Sequence, residues 1–175
     1  MCCSSTIYIA GILHNDIANG LGLRCTVFVQ GCPHHCVGCH SPHTWKVHSG
    51  TAMSVEELIK EIDKNPIDTG LTLSGGEPID QYLNLLEVLS RVKHFNDVML
   101  FTGYSKEQLD NFILTKPQFK YFLSKINTVV CDPFVLSLRD TTLKFRGSSN
   151  QRVCRVMMVD DNPTLIDITS EWDDK

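Results

Sequence analysis

The stretch TGLTLSGGEPIDQYLNLLEVLSRV, residues 69–92, carries the reading of the fold. It opens with a short apolar run over 69–73 and breaks at Ser74, Gly75, Gly76, Glu77 and Pro78. It then resumes with Tyr82, Leu85, Leu86, Leu89 and Val92 at helical spacing. A strand that ends in a glycine turn and feeds an amphipathic helix is the unit of a parallel sheet with crossover helices. The alternation extends both ways. Upstream, 7–12 and 24–30 (RCTVFVQ) read as strands joined by a polar connection over 15–22, and Ser54 with Glu57 forms a capping box ahead of Val55, Leu58, Ile59 and Ile62. Asn65 and Pro66 stop that helix. Downstream, 97–101 is a strand, and Ser105 with Gln108 caps a helix carrying Leu109, Phe112 and Ile113. Residues 128–131, 143–145 and 153–159 complete the expected strands.

The implied class is α/β, an incomplete TIM-type barrel of parallel strands with crossover helices. A full barrel needs about 250 residues, and this chain has 175. An incomplete barrel leaves a lateral opening toward the carboxyl ends of its strands. With 42% hydrophobic and 21% charged residues, the chain reads as a single domain over 1–175, with 1–6 and 161–175 peripheral.

The net charge is −4 and the basic residues are scattered singly, which excludes a nucleic-acid-binding stripe. No apolar run approaches the roughly 18–20 residues of a membrane span, and the start carries no export signal. A cytoplasmic protein with neither nucleic acid nor membrane as partner is expected.

Eight cysteines are present. Cys2, Cys3, Cys25, Cys131 and Cys154 are dispersed; Cys25 and Cys154 sit in apolar runs where a thiol acts as a small hydrophobe, and Cys2 and Cys3 fall in an expected disordered terminus. The other three crowd into GCPHHCVGC, residues 31–39, as Cys32, Cys36 and Cys39. The surrounding segment 31–50 has no sustained period and reads as a long, functional loop. Three thiolates at CxxxCxxC spacing suit an iron–sulfur cluster or zinc. Zinc stays open on spacing alone, because His34, His35, His40 and His43 lie close and Cys₃His is a common zinc site. A ferredoxin-type carrier would want a fourth cysteine at recognisable spacing, which is lacking. Gly75 and Gly76 stand beyond a strand's carboxyl end, where ligands bind in open α/β sheets, and Glu77 adds a carboxylate. The same residues also suit a tight turn opening a helix.

Taken together, these features resemble the radical S-adenosylmethionine superfamily, with its CxxxCxxC loop after the first barrel strand and GGE turn after the second. More narrowly, the chain is similar to the anaerobic ribonucleoside-triphosphate reductase activating family over about 12–151. The matching stretches are NGLGLRCTVFVQGCPHHCVGCHSPHTW, TLSGGEP, FTGYS and LKFRGSSNQ. Leu21 replaces a usual proline, and Cys131, Asp132 and Pro133 stand where many members have Val, Asp and Gly, so no role is carried over to Cys131 or Asp132.

The resemblance implies an oxidoreductase. Cys32, Cys36 and Cys39 would ligate a 4Fe-4S cluster with one open iron, and S-adenosyl-L-methionine would chelate that iron. Gly75, Gly76 and Glu77 would hold its methionine end, and Gly38, Cys39 and His40 would lie against the rest of it. Reductive cleavage yields a 5′-deoxyadenosyl radical that takes a Cα hydrogen from a glycine loop of the large catalytic subunit of anaerobic ribonucleotide reductase. A low-potential donor such as flavodoxin or ferredoxin supplies the electron. Two other readings differ in kind: an activase of the pyruvate formate-lyase type, and a non-enzymatic zinc-binding module. The residues leave the 146–151 segment and Thr102, Gly103 and Tyr104 without an assigned role.

Overall fold

The computed structural model describes residues 6–173; Cys2 and Cys3 lie outside them. Eight strands form one sheet: β1 (Thr6–Asp16), β2 (Arg24–Val29), β3 (Thr51–Ser54), β4 (Gly70–Gly75), β5 (Asp97–Phe101), β6 (Thr128–Cys131), β7 (Arg152–Val159) and β8 (Asn162–Asp167). Their order is β3-β1-β2-β4-β5-β6-β7-β8. The four central strands β2-β4-β5-β6 are parallel and succeed one another without reversal. Both flanks are antiparallel, which the alternation of strand and helix did not reveal. The ladder ends at β3 and β8, so the sheet is open.

Helices α1 (Val55–Ile62), α2 (Tyr82–Arg91), α3 (Lys106–Thr115) and α4 (Pro117–Leu123) pack side by side over one face. Both expected capping boxes form: Ser54 and Glu57 satisfy each other's backbone N–H, as do Ser105 and Gln108. The core lies between these helices and the sheet. Cys25, Val27, Leu71, Leu73, Leu100 and Val129 meet Leu58, Leu85, Val88, Leu109, Phe119 and Phe122, all fully buried. Cys25, Cys131 and Cys154 are free thiols in that core, and burial pushes the Cys25 thiol up to about 12.

Strand alternation turns the remaining side chains to the helix-free face. Toward β5–β7 that face is apolar, with Met99, Val130, Val153 and Ile168. Toward β2 and β4 it is polar and internally paired. Thr26 donates to Asp16, and buried Arg24 donates to Thr72 Oγ1 (2.6 Å), the Leu71 carbonyl (2.7 Å), the Leu21 carbonyl (2.9 Å) and Asp97 (2.7 Å). The guanidinium thereby ties the amino ends of β2, β4 and β5 together.

Two further expectations are corrected. Residues 143–145 form no strand: they occupy the tip of a loop closed by an Arg139–Ser148 bridge, and Phe145 takes a φ of 56° that no strand accommodates. The segment after 160 is more than a peripheral tail. It supplies the edge strand β8 and a short helix α5 (Thr169–Asp173), and buries Leu165 and Ile168. Helix α4 and strand β3 escaped the periodicity reading; α4 is short and begins directly at Pro117, and β3 has four residues with no fully buried one.

Replacing Arg24 by Met keeps its bulk but strips partners from buried Thr72 and the Leu71 carbonyl. The expected loss is about 3 kcal/mol of unfolding free energy, read as a lower urea midpoint at unchanged slope.

Candidate active site

The cysteine loop leaves the carboxyl end of β2 and is fastened at once by the chain that follows it. Gly31 N–H donates to the Thr44 carbonyl (2.7 Å) and Cys32 N–H to the Trp45 carbonyl (3.1 Å). The turn after β4 is locked against the same place: Gly76 N–H donates to the Val29 carbonyl (2.8 Å) and Glu77 N–H to the Gly31 carbonyl (2.7 Å). Glycine is required here for packing. Gly75 has a φ of +99°, and a Cβ on it would lie 2.6 Å from the Val29 nitrogen; a Cβ on Gly76 would strike the Gly31 carbonyl. The two glycines let the turn after β4 press directly on the root of the cysteine loop.

Glu77 is completely buried, and both of its oxygens are engaged. Oε1 accepts from Thr102 Oγ1 (2.8 Å) and Ile79 N–H (3.0 Å); Oε2 accepts from Gly103 N–H (2.8 Å) and meets His34 Nε2 at 2.8 Å. One carboxylate therefore joins the cysteine loop, its own turn and the turn after β5. The same carboxylate holds the His34 imidazole above the ordinary histidine range, against burial. The His34 ring stands edge-on to Tyr104 at 4.8 Å, and Tyr104 donates to Asp80 (2.8 Å); burial and that bond push its phenol up.

These contacts surround a cavity of about 270 Å³ on the helix-free face, at the carboxyl ends of the parallel strands. Cys32, Cys36 and Cys39 line it as free thiols, together with His40, Gly75 and Gly76. Gly38 opens onto an adjoining cavity that His40 also lines. Glu77 does not reach the cavity; it stands behind its wall. Burial pushes the Cys32 thiol up, opposed by backbone N–H groups of His34 and His35, and Ser41 N–H donates to Cys39 Sγ at 3.4 Å.

The donor set fits an iron–sulfur group. Three soft sulfurs come from one loop with N–H groups directed at two of them, and Trp45 Nε1 is buried beside the same cavity with no hydrogen-bond partner. Among the described residues, the trio of potential ligand atoms lying within 4.8 Å of one another is His14, Cys25 and Asp68, not the three loop cysteines.

The family described as "4Fe-4S single cluster domain" matches residues 18–154. The anaerobic ribonucleoside-triphosphate reductase-activating protein of Escherichia coli K12 is 36% identical over 148 residues, covering 79% of this chain and 92% of that protein. The protein of the same name from Enterobacteria phage T4 is 32% identical over 146 residues, covering 79% and 87%. The chain belongs to both families, the single-cluster 4Fe-4S domains and the anaerobic ribonucleoside-triphosphate reductase-activating proteins. Among solved structures, QueE from Escherichia coli is similar with a TM-score of 0.47 and 22% identity, over 57% of this chain and 53% of that one.

In this member of the activating-protein family, Trp45 and Phe134 line the main cavity and were missed by sequence reading, Phe134 lining the second cavity as well; Thr102, Gly103 and Asp132, which that reading named without assigning a role, also line the main cavity. Asp132 is nearly buried and clamped bidentately by Arg152 (2.6 and 2.7 Å), which also grips Glu107 and holds that carboxyl down at about 2. One signal was available for Trp45: a tryptophan inside an otherwise polar, histidine-rich loop needs a reason to be there. Nothing local marked Asp132, whose partner is 20 residues away.

Glu77→Gln places an NH₂ against either the Gly103 or the Ile79 N–H, whichever way the amide turns. The expected cost is about 2 kcal/mol of stability, measured by denaturant unfolding of the metal-free protein; an unchanged midpoint would mean that the carboxylate staple is not what holds these loops.

Proposed function

We propose that Cys32, Cys36 and Cys39 hold a 4Fe-4S cluster with one iron free of protein ligands, and that S-adenosyl-L-methionine binds there. The protein is a radical S-adenosylmethionine activating enzyme, an oxidoreductase that generates a glycyl radical on the large catalytic subunit of anaerobic ribonucleoside-triphosphate reductase. The observation that carries this reading is the convergence of three free thiols, the glycine turn after β4 and the turn after β5 on one cavity. When bound, the cluster and S-adenosylmethionine supply one-electron cleavage of a sulfonium carbon–sulfur bond, and with it the power to remove a Cα hydrogen.

The chain's own residues bind, orient and shield. The three sulfurs anchor the cluster, and N–H groups directed at Cys32 and Cys39 stabilise it in the charged, ligated state. The N–H groups of Gly76 and Glu77 are already spent on the Val29 and Gly31 carbonyls, so the turn would offer carbonyl oxygens to the methionine amino group. Glu77 acts from behind as the positioning group for Gly75, Gly76, Thr102 and Gly103. Gly38 and His40 would lie beside the adenine, and Phe28, Trp45 and Phe101 in the cavity wall would exclude water.

The match of residues 18–154 to the single-cluster 4Fe-4S domains supports a cluster over a single zinc ion. The run β2-β4-β5-β6 succeeds in sequence order with helices over one face, which supports an incomplete TIM-type barrel spanning a single domain. Its missing strands leave the side by which the partner's glycine loop enters. We assign a low-potential flavodoxin or ferredoxin as electron donor and the cytoplasm as the place of reaction, where thiols stay reduced. No helix among the described residues is long and apolar enough to cross a membrane.

Anaerobically purified protein is expected to be brown, with about four irons per chain. Cys32→Ala, Cys36→Ala and Cys39→Ala should each abolish reductive cleavage of S-adenosylmethionine. A colourless protein holding one zinc, or a single-cysteine variant that cleaves at the wild-type rate, refutes the assignment. An electron-paramagnetic glycyl signal on the reductase subunit, and none on a pyruvate formate-lyase, identifies the partner.

A further inference from the structure

Strand β1 is irregular where it passes the amino end of β2. Its ladder with β2 shifts register between Leu13 and Asp16, and Asn15 takes a φ of 56°. Irregularities of this kind re-aim a side chain, and here they bring His14 under the end of α1. His14 Nδ1 lies 2.7 Å from Asp68 Oδ2, and Nε2 lies 3.1 Å from the Glu61 carbonyl in the last turn of that helix. Cys25, on β2, completes a trio: one ligand atom from each of His14, Cys25 and Asp68 lies within 4.8 Å of the other two. The trio stands at the opposite end of β2 from Cys32 and lines no part of the cysteine-loop cavity.

Each member is placed as a ligand would be. The Cys25 thiol is free and fully buried, and it makes no hydrogen bond among the described residues. A metal-bound histidine characteristically donates its other ring N–H to a carbonyl, and with Nε2 on Glu61 the His14 ring turns Nδ1 toward Asp68. The Asp68 carboxylate, also buried, is held from behind: Oδ1 accepts from Asn15 N–H (3.0 Å), and the Asn15 side chain accepts from Asn65 (2.9 Å). The surroundings are negative as well. Asp16, Asp63 and Asp68 all act on Cys25, and α1 directs its C-terminal carbonyls here. These charges keep the free thiol protonated, and a cation that takes the proton's place reverses their effect.

A ring nitrogen and a carboxylate oxygen 2.7 Å apart need a positive centre between them. A proton meets that need and leaves Cys25 idle, whereas a divalent ion engages all three residues. We propose that His14, Cys25 and Asp68 form a second metal site, separate from the cluster, that takes one zinc-class divalent cation with water as its fourth ligand. Water reaches it beside His14, whose side chain is 24% exposed. One thiolate and one carboxylate neutralise a divalent charge in a buried place, and a sulfur, nitrogen and oxygen donor set suits zinc over magnesium or calcium. Zinc bonds of about 2.0–2.3 Å set ligand atoms roughly 3–4 Å apart, a small closure from the separations present. The ion ties β1, β2 and the approach to β4 together under α1, and the site does not depend on the activating function argued above.

The test uses the full chain with Cys32→Ser, Cys36→Ser and Cys39→Ser combined, so that the loop takes no metal, and Co²⁺ as an anaerobic probe. One equivalent is expected to bind with a thiolate-to-cobalt charge-transfer band, and Zn²⁺ should displace it. Cys25→Ala should remove the band. His14→Gln, at a partly exposed position where folding is least at risk, should weaken Co²⁺ binding by at least about a hundredfold, beyond the roughly 10–100-fold that loss of a supporting partner costs. In the protein with its loop intact, the site shows as one zinc per chain beside the iron, lost in His14→Gln with iron content unchanged. No charge-transfer band, a band that survives Cys25→Ala, or wild-type affinity in His14→Gln overturns the proposal. Failure of the cluster assignment shows instead as missing iron, which the loop-serine protein does not report.

Discussion

Glu77 has no contact with solvent, and a carboxylate so placed must have its lone pairs answered or it destabilises the fold. Its four partners come from three separate segments: His34 from the cysteine loop, Ile79 from its own turn, and Thr102 and Gly103 from the turn after β5. At this end of the sheet, where the strands have run out, these segments share this one carboxylate. The carboxylate is therefore the element around which the walls of the cavity are assembled, and it works by being inaccessible to whatever binds there.

The two glycines before it belong to the same construction. Gly75 and Gly76 bring the β4 turn against Val29 and Gly31 at a distance no Cβ would tolerate. That contact sets how far Cys32, the next residue after Gly31, lies from the turn. Rigid placement matters for one-electron chemistry on a bound sulfonium, because misplacement by an ångström is costly to any reaction that depends on a near-attack geometry. The rim differs, with apolar side chains such as Val37 and Leu136 exposed.

The polar network under β2 and β4 and the apolar patch under β5–β7 divide the helix-free face into two kinds of surface. Arg24 and Asp16 fill the polar half with the connection that follows β1, so the cavity is confined to the carboxyl end of the strands. The face opposite the helices thus carries a small second core under β5–β7, a polar plug at the amino ends of β2 and β4, and the cavity at the carboxyl ends. It is plugged at one end and open at the other, which is the arrangement a buried reactive centre with a macromolecular substrate needs.

Much of this was legible in the chain. The period of 3.6 around Leu85 and Leu89, the two capping boxes and the β-branched run before Cys32 depend on neighbours a few residues away, and each forms as read. The spacing of Cys32, Cys36 and Cys39 likewise put three soft ligands on one loop. What no local pattern could supply was long-range pairing. Glu77 reads as a ligand-facing acid until Thr102 and His34, 25 and 43 residues distant, are seen to occupy it. The antiparallel flanks, the edge strand β8 and the meeting of His14 with Asp68 belong to the same class. A hydrogen bond between remote segments leaves no periodic trace in sequence, so only the tertiary structure could decide which polar groups face the cavity and which hold its walls.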